Sequence, residues 1–141
     1  MRLILPAHCD VPIARAAAMI YYARLLRRGV EIYEYQPQVL HAKLCRVDEK
    51  VFVGSSNLDV RSFKLNYELM LRFTDHASVA GAKAIFDAAL KNCRRIDLDE
   101  FRRSQNFWQR WKNRWAHFLI ARIDPLVALS QINPGKTKAG D

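Results

Sequence analysis

The sequence lacks any apolar run of the roughly 18 or more residues that a membrane-crossing helix needs. It has only three cysteines, Cys9, Cys45 and Cys93. An odd number at long spacings excludes a disulfide framework and a zinc cluster, and predicts reduced, partly buried thiols. His8, His76 and His117 have no metal-ligand spacing and read as structural or solvent-facing. No repeat and no low-complexity segment is present. The opening residues, Met1-Arg2-Leu3-Ile4-Leu5-Pro6, are interrupted too soon for a signal peptide. They read as a core strand that begins at once, and that abruptness predicts a segment of something longer. Acidic residues are also scarce: 14 Asp and Glu face 23 Lys and Arg, a formal charge of +9. Such a balance points to anionic partners without choosing among phosphate esters, nucleic acid and an anionic membrane surface.

Half of the 141 residues are apolar, enough for a core without crosslinks. Residues 2–5 predict a buried strand. Asp10 is a candidate cap for a helix with Pro12 in its first turn, running to about Arg28 and stopped by Gly29. Strands are expected over residues 30–35, 40–47 and 51–53, with Asp48-Glu49-Lys50 as a tight turn between the last two. A loop over residues 54–64, with room for a helical turn, leads to a strand over 67–73. An Ala-rich helix over 77–92 follows. Asp97 or Asp99 caps a further short helix. An amphipathic helix runs from Ser104 to about Ile123, where Pro125 ends or kinks it. Alternating strands and helices give the α/β class. The chain is expected to divide into an α/β domain over 1–96, a basic Trp-rich helical extension over 97–130 and a flexible tail over 131–141.

The chemistry concentrates in His41-Ala42-Lys43-Leu44-Cys45-Arg46-Val47-Asp48 and the trailing Gly54-Ser55-Ser56-Asn57. On a strand, residues two apart share a face, so His41 and Lys43 project together, about 7 Å apart. Imidazole serves as nucleophile or acid near neutral pH, and a neighbouring ammonium holds an anionic phosphate. Gly54 permits a sharp turn. The turn returns the Ser55 hydroxyl and the Asn57 carboxamide to the same edge, where both can bond phosphoryl oxygens. Asp48 lies on the opposite strand parity and is expected to have a structural part.

This pattern resembles the His-x-Lys-x4-Asp motif of the phospholipase D superfamily, with its trailing Gly-Ser-x-Asn. The flanks Gly29-Val30-Glu31-Ile32-Tyr33, Asn57-Leu58-Asp59-Val60-Arg61-Ser62-Phe63 and Asn66-Tyr67-Glu68-Leu69 look like the C-terminal catalytic half of the bacterial cardiolipin synthases. The likeness extends over about residues 1–125. One departure is a hairpin between Asp48 and Gly54 that is one residue shorter than in many members.

The resemblance implies a phospholipase D-like mixed β-sheet flanked by helices. It implies that His41 is either the nucleophile forming a phosphohistidine or the acid protonating the leaving group. A second histidine from a partner half, in cis or in a homodimer, takes the other role. Lys43 and Asn57 would bind phosphate, and Ser55 would contact it or steady the site. Glu68 matches a glutamate that pairs with a catalytic histidine, and on a strand it would share a face with Asn66. No metal or other cofactor is implied. The expected activity is a phosphatidyltransferase of the cardiolipin synthase type, peripheral on the cytoplasmic side of the cell membrane, with a phosphatidylglycerol-like substrate. The alternatives are a homodimeric single-motif nuclease acting on nucleic acid and an inactive half used for binding.

Residues 91–122 carry nine Lys or Arg and three acidic residues. Phe107, Trp108, Trp111, Trp115, Phe118 and Leu119 recur at helical spacing, with Arg110, Lys112, Asn113 and Arg114 largely on other faces. Such a helix suits an anionic membrane interface. The same apolar face would equally serve to dock on the catalytic domain or a partner half.

Overall fold

The computed structural model describes residues 1–10, 12–57, 62 and 66–132, with side chains as far as residue 119. Its elements are β1 (Arg2–Pro6), α1 (Pro12–Arg27), β2 (Glu31–Tyr35), β3 (Leu44–Val47), β4 (Lys50–Gly54), β5 (Met70–Phe73), α2 (His76–Leu90), β6 (Cys93–Arg95), α3 (Leu98–Ser104) and α4 (Phe107–Ile132). The expected α/β class holds. The strands form two three-stranded sheets, ordered β1-β2-β6 and β3-β4-β5. The first is mixed, with β1 parallel and β6 antiparallel to β2. The second is antiparallel throughout.

Parallel strands need a crossover, and α1 supplies it between β1 and β2. The end of α1 is set by Gly29 at φ 77°, a left-handed conformation that glycine adopts without a side-chain clash. The N–H groups of Val30 and Gly29 close back on the carbonyls of Leu25 and Leu26, at 3.1 and 3.0 Å. Ile32 is fully buried in β2 and packs with Tyr22 and Ile96, joined by Leu5, Met19 and Phe101. A second core lies under α2, where Val79 and Ala82 cover Val51 and Leu44. Helix α2 also touches β2, and Arg2 lies over the Phe86 ring at 5.2 Å, so α2 ties the two sheets together.

Buried Glu34 crosslinks the first sheet. Its carboxylate meets Arg15 at 3.0 Å and Arg94 at 3.8 Å, and accepts from the Tyr22 hydroxyl at 3.3 Å. Burial, and then the Glu34 charge, push the Tyr22 phenol well above its ordinary pKa. Arg15 also donates to the carbonyls of Pro6 and Ala7, fixing the chain as it leaves β1.

Several boundaries differ from the expected ones, each for a local reason. The strand expected over 40–47 begins only at Leu44, and the one expected over 67–73 only at Met70. In both cases the pairing partner runs out: Leu44 faces Val53 and Met70 faces Gly54, beyond which the chain turns away. The Ala-rich helix stops at Leu90, and residues 93–95 form a strand that the sequence does not announce. Those three residues, Cys-Arg-Arg, have no alternation to signal a strand. Their place comes from pairing with Tyr33, Glu34 and Tyr35. Asp97, not Asp99, caps α3, accepting from the N–H groups of Asp99 and Glu100. Pro125 does not end α4, which continues to Ile132. A proline inside a helix forfeits one backbone bond, and α4 is held by extensive packing on α1. Residues 133–141 of the expected tail, residues 58–61 and 63–64 of the expected loop, and residue 65 after it lie outside the described residues.

The 97–130 extension packs on α1 through Ala116, which is buried against Ala16 and Ala17. Tyr21 and His117 meet at 2.6 Å from hydroxyl to Nε2. The aromatic stripe of α4 does not make this contact. Phe107, Trp108, Trp111, Trp115 and Phe118 are all at least 49% exposed.

Candidate active site

The second sheet ends abruptly at one side, and the motif residues gather there. β3 begins, β4 ends and β5 begins at the same edge. The final backbone bond of the β3–β4 pair runs from the Gly54 N–H to the Lys43 carbonyl at 3.3 Å. Beyond it, His41 and Ala42 have left the ladder. They are not on a strand, contrary to the parity argument, yet the two functional side chains do meet. The Lys43 ammonium lies 2.8 Å from His41 Nδ1 and 2.9 Å from the His41 carbonyl oxygen. An ammonium has only donors, so His41 Nδ1 accepts here and the ring proton sits on Nε2. His41 is exposed.

Gly54 has a steric reason. A side-chain carbon there would run into the Leu69 carbonyl oxygen and come within 2.9 Å of the Met70 Cα. Only glycine lets β5 approach this closely. Ser55 then replaces the ladder with its side chain. Its N–H donates to the Leu69 carbonyl at 3.0 Å, and its Oγ accepts the Leu69 N–H at 3.0 Å. The same hydroxyl donates to Glu68 Oε2 at 2.5 Å. Asn66 Nδ2 donates to the other Glu68 oxygen at 3.3 Å.

Glu68 therefore lies before β5 and not within it. The Ser55 hydroxyl, then the Ser62 hydroxyl, the Asn66 carboxamide and the Lys43 charge hold its carboxyl below its ordinary pKa. Among the described residues, Glu68 forms no hydrogen bond to His41. Its place within this chain is behind Ser55.

Asn57 is exposed, and its backbone N–H donates to the buried Ser62 hydroxyl at 3.1 Å. Among the described residues its carboxamide has no protein partner, which leaves it available to a ligand. Ser62 is the contributor that sequence reasoning overlooked, since it reaches both Asn57 and Glu68. A hydroxyl five residues past Asn57 in a polar loop was the signal available.

Asp48 is at the far end of the hairpin, in the turn between Val47 and Lys50, with φ 51°. Asp tolerates this left-handed conformation better than most residues. Its carbonyl accepts from Arg46 Nε at 3.1 Å. The structure thus brings His41, Lys43, Ser55, Asn57 and Glu68 to one edge and sets Asp48 apart from them.

The family whose description is "Cardiolipin synthase, PLD-like domain" matches residues 1–90. The chain belongs to this family, within the phospholipase D superfamily. It is similar to cardiolipin synthase A of Pseudomonas fluorescens, 36% identical over 110 residues, covering 77% of this chain and 23% of that protein. Cardiolipin synthase 1 of Bacillus anthracis is 34% identical over 104 residues, covering 73% of this chain and 20% of that protein. Cardiolipin synthase A of Pseudomonas aeruginosa PAO1 is 38% identical over 89 residues, covering 62% of this chain and 18% of that protein. The chain thus spans about a fifth to a quarter of the length of these curated relatives. No solved structure matches it.

Proposed function

We propose that the chain is the C-terminal catalytic half of a phosphatidyltransferase of the cardiolipin synthase type. The observation that carries the reading is the His41–Lys43 pair beside Ser55 and Asn57 at an open sheet edge. An imidazole, an ammonium, a hydroxyl and a carboxamide suit a phosphodiester, and the relatives' names suggest that the diester is a phospholipid.

In this reading, one histidine attacks the phosphorus of a phosphatidylglycerol-like lipid. The bond from phosphorus to the head-group oxygen breaks, and the second histidine protonates the departing glycerol. A phosphatidyl-histidine remains. The hydroxyl of a second phosphatidylglycerol then attacks, loses its proton to the second histidine and releases the first. His41 takes either role. In the conformation described, Lys43 donates to Nδ1 of a neutral ring. Either role requires Lys43 to swing from the ring to the phosphate: the acid needs a proton on Nδ1 as well as on Nε2, and the nucleophile needs its one proton on Nδ1 so that Nε2 is free to attack. The remaining histidine comes from a second motif elsewhere in the longer protein, or from a second copy of the chain. The reading sets the protein peripherally on the cytoplasmic face of the membrane.

A single motif in a basic chain also fits a homodimeric nuclease. Presenting the full-length protein with labelled phosphatidylglycerol and, separately, with single-stranded DNA tests the two. Cardiolipin formed with DNA left intact supports the proposal. DNA cleaved with no cardiolipin formed replaces it with the nuclease.

A further inference from the structure

All three tryptophans of the chain stand on one exposed face of α4. Phe107, Trp108, Trp111, Trp115 and Phe118 form a continuous ladder, with successive ring centroids 5.6–6.4 Å apart. At about 100° per residue these rings occupy one sector of the helix, roughly 17 Å long. Ala116 and His117, which contact α1, occupy the opposite side. Among the described residues nothing covers the ladder, and large exposed aromatic patches mark contact surfaces.

We propose that this face docks the protein on an anionic lipid surface, with the tryptophans in the interface and Arg110, Lys112 and Arg114 against the head groups. The proposal takes its purpose from the phospholipid reading above, but the binding requires no turnover. Charge decides for lipid over a protein groove. Residues 101–119 contain five Lys or Arg and no Asp or Glu. Arg110 and Arg114 line the groove along the ladder beside Phe107, Trp111, Trp115 and Phe118. The choice of rings fits as well. Indole has an apolar body and one N–H donor, which suits the boundary between acyl chains and head groups. Among the described residues none of the three indole N–H groups has a protein partner. No helix among them is long and apolar enough to cross a membrane, so a contact made by α4 lies along the surface.

The three tryptophans make intrinsic fluorescence a direct reporter. Adding vesicles of phosphatidylcholine mixed with phosphatidylserine shifts the emission to the blue, and brominated acyl chains quench it. Pure phosphatidylcholine vesicles bind at least about tenfold more weakly. In a flotation assay, Arg110→Gln with Arg114→Gln weakens binding to the mixed vesicles by at least about tenfold. Trp108→Ala with Trp111→Ala and Trp115→Ala abolishes it, while far-UV circular dichroism stays that of the parent. His41→Ala binds like the parent, because the ladder is separate from the candidate site. An emission spectrum unmoved by mixed vesicles overturns the proposal, as does equal binding to neutral vesicles. Binding lost in His41→Ala but kept in the tryptophan variant also overturns it, and leaves the phosphatidyltransferase reading standing.

Discussion

Ser55 and Leu69 exchange two hydrogen bonds, each of 3.0 Å, but only one of them is backbone to backbone. The Leu69 N–H goes to the Ser55 hydroxyl, where a continuing ladder would offer it a carbonyl. The sheet thus ends in a side chain. That hydroxyl still has its own proton to give, and it goes to Glu68. A structural joint and a member of the candidate site are the same atom.

The joint depends on Gly54. Gly54→Ala forces a side chain against the Leu69 carbonyl and the Met70 backbone. We expect it to cost about 1–3 kcal/mol through overpacking, read as a lower melting temperature, with activity lost alongside. Gly81, in the middle of α2, has open space at its Cβ position. Gly81→Ala is expected to stabilise by about 0.5–1 kcal/mol through helix propensity. Equal effects at the two positions would contradict the close approach of β5.

Asp48 tests whether every residue of the motif takes part in chemistry. Its φ of 51° places it in a turn remote from His41. Asp48→Asn, which tolerates that conformation, should leave both melting temperature and activity near the parent values. Asp48→Val should lose about 1–2 kcal/mol of stability, because a branched side chain is strained there. A large loss of activity in a well-folded Asp48→Asn protein would return the residue to the reaction.

Glu68 should titrate below its ordinary value of 4.5, chiefly through the Ser55 hydrogen bond. The sign follows from linkage. A carboxyl with a lowered pKa in the folded state gives a stabilisation that is complete above the unfolded value. It is lost as pH falls through the folded one. The stabilisation from the Ser55–Glu68 joint should therefore be complete above the ordinary value of 4.5 and be lost at a pH below it. Carboxyl carbon NMR with Glu68→Gln for assignment measures this. A midpoint at or above 4.5 would rule the joint out.

Much of this was legible in the residues, but not all by the route the residues suggest. His41 and Lys43 do come together, as their spacing indicates. Strand parity is the wrong reason, because β3 starts at Leu44 and the contact is made in a curled segment before it. Glu68 and Asn66 do associate, again off the strand. What sequence could not supply is long-range: the Cys93–Arg95 strand exists only because β2 offers it an edge. Ser62 has its role only because the loop folds back on Asn57 and Glu68. The direction of the aromatic stripe was also open, since both a docked and an exposed ladder fit the same periodicity. The alanines at 16, 17 and 116 decide against docking of the stripe on α1, giving α1 and α4 a close seam on the other side.

The central claim is that His41 belongs to a phosphatidyl-transferring site completed by a second histidine. The most direct measurement is conversion of labelled phosphatidylglycerol to cardiolipin by the full-length protein, compared with its His41→Ala variant. We expect the parent to form cardiolipin and the variant to be slower by roughly 10³-fold or more, with unchanged circular dichroism. A His41→Ala protein that still forms cardiolipin at the parent rate would contradict the account.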